Sequence, residues 1–280
     1  MNIKCTVCQN DQQIKTIDKR MNIYYCGNCQ HTFTNVEKQN KDDYSDKYYD
    51  EDHKQWFNNP NYWLFDLIIH NVIELSKGKE IKLLDVGCGN GDFLKYIRKI
   101  VPQAKLVGVD LNDNKYEGID FIKEDFMSLA DLGKRYGQFS TIVTLAVIEH
   151  IDDLNKFVNS MRDILQNNGY LIIMTINNDS LIYRAARLLC KIGYRTPFDR
   201  LYSSHHLQHF TNRSLSKLME KRGFKAVRMV NHNYPLKAVD VPGKNPLVTM
   251  IFKISVAILF LLSIPTNSQQ LQTIIYKKIE

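Results

Sequence analysis

Three groups of residues in this sequence are of types, and at spacings, that do chemistry. The first runs Leu83-Leu84-Asp85-Val86-Gly87-Cys88-Gly89-Asn90-Gly91-Asp92-Phe93-Leu94. Glycines at alternate positions leave a turn without side chains, on which a ligand lies directly against the backbone. A dinucleotide loop needs G-x-G-x-x-G, its third glycine letting helix and strand pack closely. Here Asp92 stands where that third glycine would fall. Asp85, just before the turn, suits a positively charged group, which a pyrophosphate does not supply. The expected ligand is therefore a nucleoside that carries an amino acid and a positive charge. Asp110 follows roughly twenty residues past the loop, where a ribose-binding carboxylate belongs. Asp125-Phe126 then offers an acid and a ring face to an adenine.

The second group is Cys5-Thr6-Val7-Cys8 and Cys26-Gly27-Asn28-Cys29, two C-x-x-C pairs separated by 17 residues. The spacing fits a four-thiolate zinc ribbon, in which the metal supplies the folding free energy that a segment with almost no core lacks. A closed four-sulfur site has no open coordination position, so a structural or docking role is expected and not catalysis. Disulfides or a redox pair are the alternative. Against them, four of the six cysteines are in doubled pairs and the N-terminal MNIKCTVCQN has no apolar h-region, which favours a reducing, cytoplasmic setting. His31 is a spare ligand that four thiolates make unnecessary.

The third group is histidine. His150 closes Ile148-Glu149-His150, and His206 lies in His205-His206-Leu207-Gln208-His209-Phe210. An acceptor hydroxyl gains from a general base, and a histidine near neutral pKa suits that task. His150 falls at the carboxyl edge of a strand, where open α/β sheets bind ligands. A base, a loop-orienting group and a cofactor contact all remain open for it. His206 and His209, three apart, would need a third ligand to hold a metal, and His206 is the better base candidate.

These groups need an α/β scaffold to hold them. Short apolar runs at 81–86, 105–110, around Phe121-Ile122, at 139–147 and at 170–176 read as five strands, with 224–232 a sixth and 271–279 a seventh. Helical spacing recurs at 62–75 and from Phe93, and again over 151–165, which opens on Asp152-Asp153 and ends at Asn167-Asn168-Gly169. Residues 180–192 interleave apolar side chains with Arg184, Arg187 and Lys191, and Thr211 caps a further helix after a loop over 193–210. Residues 111–118 have room for a turn or two at most. The polar, tyrosine-rich tract at 36–59 reads as a linker with aromatic anchors.

The series DVGCGNG, GVDLN, KEDF, FSTIVTLAVIEHI and LQNNGYLIIMT, in order over 81–175, resembles the class I S-adenosylmethionine-dependent methyltransferases. The resemblance implies a Rossmann-like α/β sheet of seven strands, the last antiparallel between strands five and six. It also implies S-adenosylmethionine as cofactor, with Asp85, Gly87, Gly89 and Gly91 on its methionine side, Asp110 and Leu111 at the ribose, and Asp125 and Phe126 at the adenine. In many such enzymes a tyrosine-bearing segment ahead of the domain folds over the cofactor, and Tyr48 and Tyr49 resemble it, Tyr49 being the expected contact. A pattern like HLQHFT precedes a helix in related enzymes, with the acceptor pocket formed by the insertion before it. The expected division is a zinc ribbon at 1–35, a linker and cofactor lid at 36–60, and a methyltransferase domain at 61–280, with a substrate-side insertion at 177–210 and an apolar helix at 246–264. Ubiquinone-biosynthesis O-methyltransferases carry a similar I-E-H ending with a further acid three residues before the glutamate. Ala146 occupies that position here, which speaks against metal assistance. The order of ribbon and methyltransferase resembles instead bacterial sugar and glycan-modifying methyltransferases, deoxysugar C-methyltransferases among them.

The expected acceptor is a hydroxyl or carbon of a small molecule, a sugar or glycan, or a lipid-linked compound. RNA methylation with the ribbon as RNA reader is the alternative. Against nucleic acid, LAVIEH stands in place of an Asn/Asp-Pro-Pro-aromatic motif, the net charge of +7 is scattered, and aromatic and basic residues form no stacking platform. A non-catalytic cofactor-binding scaffold is the third reading, opposed by the intact glycine turn and both cofactor acids. Residues 247–264, LVTMIFKISVAILFLLSI, reach the lower length limit of a membrane-spanning helix. A span there would leave the seventh strand across the bilayer from its sheet. The helix is therefore expected to pack on the domain or lie in the headgroup region, with Arg184, Arg187 and Lys191 attracting anionic lipid. Peripheral contact with the inner face of the membrane, giving access to a lipid-linked acceptor, is the arrangement expected of an otherwise cytoplasmic protein.

Overall fold

The computed structural model describes residues 3–35, 54–129, 131–203, 205–239 and 246–279. Tyr48 and Tyr49, with most of the 36–60 lid, fall outside them. The chain opens on a meander of β1 (Ile14–Asp18), β2 (Ile23–Cys26) and β3 (His31–Thr34), paired antiparallel between and beyond the two cysteine pairs. After α1 (Lys54–Asn58) and α2 (Tyr62–Ser76) the alternating units begin: β4 (Lys82–Val86), α3 (Asp92–Ile100), β5 (Lys105–Asp110), β6 (Ile119–Lys123), α4 (Leu132–Tyr136), β7 (Phe139–Leu145), α5 (Leu154–Ile164) and β8 (Leu165–Ile176). Then come α6 (Leu181–Lys191), α7 (Thr196–Leu201), β9 (Gln208–His209), α8 (Asn212–Glu220), β10 (Phe224–His232), α9 (Pro246–Ser263) and β11 (Leu271–Lys278).

Seven strands form one sheet in the order β10-β11-β8-β7-β4-β5-β6. β4 to β8 run parallel, in register from Leu83 opposite Leu106 to Val86 opposite Val109. β11 is antiparallel to both β8 and β10, as the resemblance implied. Helices cover both faces, which is why Leu83, Leu84, Ile142 and Val143 are all buried in strands apolar on each side. One face packs against α2 and α3 through Leu64, Ile68, Phe93 and Ile97. The other packs against α5 and α8 through Phe157, Met161, Leu215 and Leu218.

Local chemistry sets the helix starts. Asp153, Ser180 and Thr211 each accept a backbone N–H from the first turn of the helix they cap, and Ser214 returns the bond to complete a capping box. Two expectations shift. α5 ends at Ile164, because Leu165 is already drawn into the sheet opposite Phe139; Asn168, with φ of 62°, makes an irregularity inside β8 and not a helix stop. The span 193–210 is more than a loop: it holds α7, with Pro197 in its first turn, and β9. β9 pairs antiparallel with β3, so the ribbon sheet runs β1-β2-β3-β9 and takes its fourth strand from the substrate-side insertion. Cys5, Cys26, Cys29 and Phe33 accordingly share a core with Phe210 and Leu215.

Candidate active site

The turn after β4 continues from the ladder. The N–H groups of Gly87 and Cys88 both donate to the Val109 carbonyl, at 2.8 and 3.2 Å. Gly87 and Gly91 have φ of 73° and 72°, and a Cβ would lie 2.3 Å from Val147 Cγ2 at the first and 2.8 Å from the Phe121 ring at the second. Their missing side chains thus let the turn close onto its neighbours, while Gly87 and Gly89 face the ligand space. Gly91 stands one step behind, at the start of α3. Asp110, at the tip of β5, accepts the Gly89 N–H at 2.7 Å and the Asn112 N–H at 2.9 Å. Asp125 accepts the Met127 N–H at 2.9 Å and so holds the short turn on which Phe126 sits edge-on to Phe157.

Asp85 is buried, and its Oδ1 has no hydrogen-bond partner among the described residues. Burial, and then the Asp110 charge, push its carboxyl up to about 8. A buried acid with an unmade bond next to a side-chain-free turn fits a cationic ligand that would complete it.

A cavity of about 930 Å³ joins these parts. Gly87, Gly89, Asp110, Leu111, Asp125 and Phe126 line it, and so do His150 and His206. α6 and α9 add an apolar stretch of wall, Ile182, Ala185 and Leu189 from the first and Phe252, Val256 and Leu259 from the second, while Asp152, Lys156, Arg200, Ser255 and Gln270 add polar groups to the lining. Asp85 borders an adjoining pocket that shares Gly87 and Gly89.

The structure brings His150 and His206 together from distant parts of the sequence, with ring centroids 4.9 Å apart. His150 Nδ1 lies 2.8 Å from the His205 carbonyl. A carbonyl only accepts, so Nδ1 carries the proton and Nε2 is the basic nitrogen of the neutral ring. His209 points elsewhere: it is buried against Tyr202 and near Thr34, and burial holds it well below the usual histidine range. The neighbour that matters to the site is instead Glu149. It is buried, accepts the Thr175 hydroxyl at 2.7 Å and is pushed up to about 7 by burial. One ligand-capable atom each from Glu149, His150 and His206 lie within 4.8 Å of one another. Ala146, just ahead, has φ of 57°, a conformation disfavoured for a residue with a Cβ, and lines the cavity.

Sequence reasoning missed Gln208. It is buried, its amide donates to the Ile151 carbonyl at 2.8 Å, and its oxygen accepts from Thr6 at 2.8 Å and from His31 Nε2 at 2.9 Å. Its place inside HLQHF was visible; its partners, up to 202 residues away, were not.

The Sγ atoms of Cys5, Cys8, Cys26 and Cys29 lie within 4.8 Å of one another, with Cys5–Cys29 and Cys8–Cys26 each at 3.5 Å. Four sulfurs about 2.3 Å from a common zinc stand about 3.8 Å apart, so the cluster fits that ion. The hydrogen bond with Cys29 lowers the Cys5 thiol from its ordinary value, which favours the thiolate that a metal would bind.

A seven-stranded, mostly parallel sheet with a glycine turn and two acids at its carboxyl edge defines a nucleoside-binding α/β enzyme of the methyltransferase type. A family model described as a methyltransferase domain matches residues 61–229, more than half of the chain, and the chain belongs to that family. Ubiquinone biosynthesis O-methyltransferase of Pelagibacter ubique is 29% identical over 106 residues, covering 35% of this chain and 43% of that protein. Release factor glutamine methyltransferase of Flavobacterium psychrophilum is 22% identical over 201 residues, covering 68% of this chain and 65% of its own length. The chain thus spans less than half the length of the ubiquinone-type relatives it matches. Among solved structures, 1,6-didemethyltoxoflavin-N1-methyltransferase of Burkholderia thailandensis, with 1,6-didemethyltoxoflavin and S-adenosylhomocysteine bound, aligns with a TM-score of 0.55 at 13% identity, over 96% of this chain and 100% of that one. A SAM dependent methyltransferase from Archaeoglobus fulgidus aligns with a TM-score of 0.52 at 19% identity, over 83% and 100%. At these identities the structures share the fold.

Proposed function

We propose that this chain transfers a methyl group from S-adenosylmethionine to a hydroxyl of an acceptor with an apolar portion, with His150 as general base and His206 beside it. The observation that carries the reading is the His150–His205 bond, which leaves a basic Nε2 on a ring that lines the cavity together with Gly87 and Asp110. Asp85 and the Gly87–Gly89 turn would hold the charged amino-acid end of the cofactor, Asp110 and Leu111 its ribose, and Asp125 with Phe126 its adenine. The cofactor supplies a methyl on a sulfonium, open to in-line displacement. The protein's share is to align the acceptor and take its proton at Nε2. The α6 and α9 wall favours a lipid-linked or otherwise apolar acceptor, because a bare sugar would leave hydroxyls unpaired against it. Carbon methylation needs no different architecture, and a base at His150 serves it equally. One zinc on Cys5, Cys8, Cys26 and Cys29 completes the reading, as a structural element.

Release of S-adenosylhomocysteine over a panel of hydroxylated amphiphiles tests it. His150→Ala should lower turnover on the order of a hundredfold while cofactor affinity stays near normal. Full activity in both His150→Ala and His206→Ala would leave the reaction to positioning alone. A second reading rests on the closeness of Glu149, His150 and His206: a divalent cation there would polarise the hydroxyl in the base's place. Desalted enzyme whose turnover depends on added magnesium would favour it.

A further inference from the structure

Both faces of α9 are apolar, and among the described residues only one has a partner. Toward the domain, Phe252, Val256 and Leu259 line the cavity, and Val256 and Phe260 pack with Val239. On the opposite side Met250, Ile254, Ile258 and Leu261 are 53%, 52%, 51% and 68% exposed. α6 contacts α9 and extends the same surface with Leu188 and Ile192, 64% and 75% exposed. A helix of 18 residues that is apolar all round and only 17% buried over that length has no place facing water.

We propose that α9 and the end of α6 rest on an anionic bilayer surface, with the mouth of the acceptor cavity opening into it. Three observations favour lipid over other occupants. Val248, Ile251 and Tyr194 are exposed and also line the cavity, so the apolar surface is continuous with the site's entrance. α6 and α9 carry no acid, while Arg184, Lys191 and Lys253 are exposed among their apolar residues; the charge complements anionic headgroups and would repel a second copy docked through the same face. β11 begins a few residues after α9 and pairs throughout with β8 and β10, so both ends of α9 stay on one side of a membrane, lying flat and not crossing. The surface deepens the functional reading by giving the route by which an apolar acceptor arrives, and depends on that reading only for the acceptor.

Flotation of the full chain tests the surface without any acceptor. With phosphatidylcholine vesicles containing about a third phosphatidylglycerol, the protein should float at low salt and be released by high salt. Lys253→Gln should lower its partition about fivefold. The double variant Ile258→Glu with Leu261→Glu should stay at the bottom while keeping its melting temperature and S-adenosylhomocysteine affinity. If that variant does not fold, Leu188→Ser with Ile192→Ser should weaken flotation in its place. Wild-type protein that fails to float, substitutions that change nothing, a dimer in solution that these substitutions dissociate, or release that requires detergent would each overturn the proposal. Flotation lost with methyl transfer intact would strike this surface alone, whereas wild-type protein that floats but methylates no acceptor of the panel would strike only the methyl-transfer reading.

Discussion

Asp85 is an acid that burial keeps protonated until about pH 8, against an ordinary value of 3.8. Its folded-state affinity for protons is raised, so the ligand-free chain should be most stable, on this residue's account, below its ordinary value and should lose that stability as pH rises toward 8. A cation beside its unbonded Oδ1 reverses the preference. Binding of S-adenosylhomocysteine, whose ammonium retains a positive charge, should therefore release up to one proton at pH about 6, measured calorimetrically in buffers of different ionisation enthalpy. Asp85→Asn should release none, and release unchanged in that variant would place the coupled proton elsewhere. The identity of this acid was legible in the sequence, since an acid before a glycine turn implies a cation. Its protonation was not, because that depends on Asp110 folding beside it and on the water excluded around it. Glu149 has the same history: it read as one letter of I-E-H, and only the hydroxyl of Thr175 and its burial set its charge.

β9 is two residues long, and it is the element on which the ribbon and the site are joined. Thr34 donates to the His206 carbonyl at 3.2 Å from the ribbon side, while Gln208 ties Thr6 and His31 to the turn that follows His150. Gln208→Ala leaves the half-buried Thr6 hydroxyl, the buried His31 ring N–H and the Ile151 carbonyl without this partner, a loss of about 1–3 kcal/mol in thermal or denaturant unfolding. If its further effect is to position the histidines, turnover should fall with S-adenosylhomocysteine affinity unchanged. Equal losses in both would mark a role in the fold only. The seven long strands were legible because apolar runs bounded by turns have a period to read. β9 and α7 were not, since a two-residue strand has no period and its partner, Phe33 opposite Gln208, lies far back in the chain. α9 was legible as a helix but not as a cavity wall, because an all-apolar sequence does not say which face meets the protein.

At the scale of the whole molecule, the cysteine cluster is not a detachable appendage. The residues proposed to hold the cofactor hang on β4, β5 and β6, whereas the ribbon sheet is bonded to the segment that carries His206 and is buried in one core with Phe210 and Leu215. Metal held by four thiolates would contribute binding free energy on the order of 10 kcal/mol to that assembly. Purified protein should thus contain about one zinc per chain, and Cys26→Ser should lower that content and the melting temperature together. Because the ribbon meets the acceptor side, the same substitution should reduce turnover more than it reduces S-adenosylhomocysteine affinity, as calorimetry would show. A fully folded, active chain without zinc would mean that packing of His31 against Phe210 and the shared core are enough to hold the ribbon. Loss of cofactor binding in step with zinc would mean that the two halves fold as one unit, with no separate role for the ribbon at the acceptor wall.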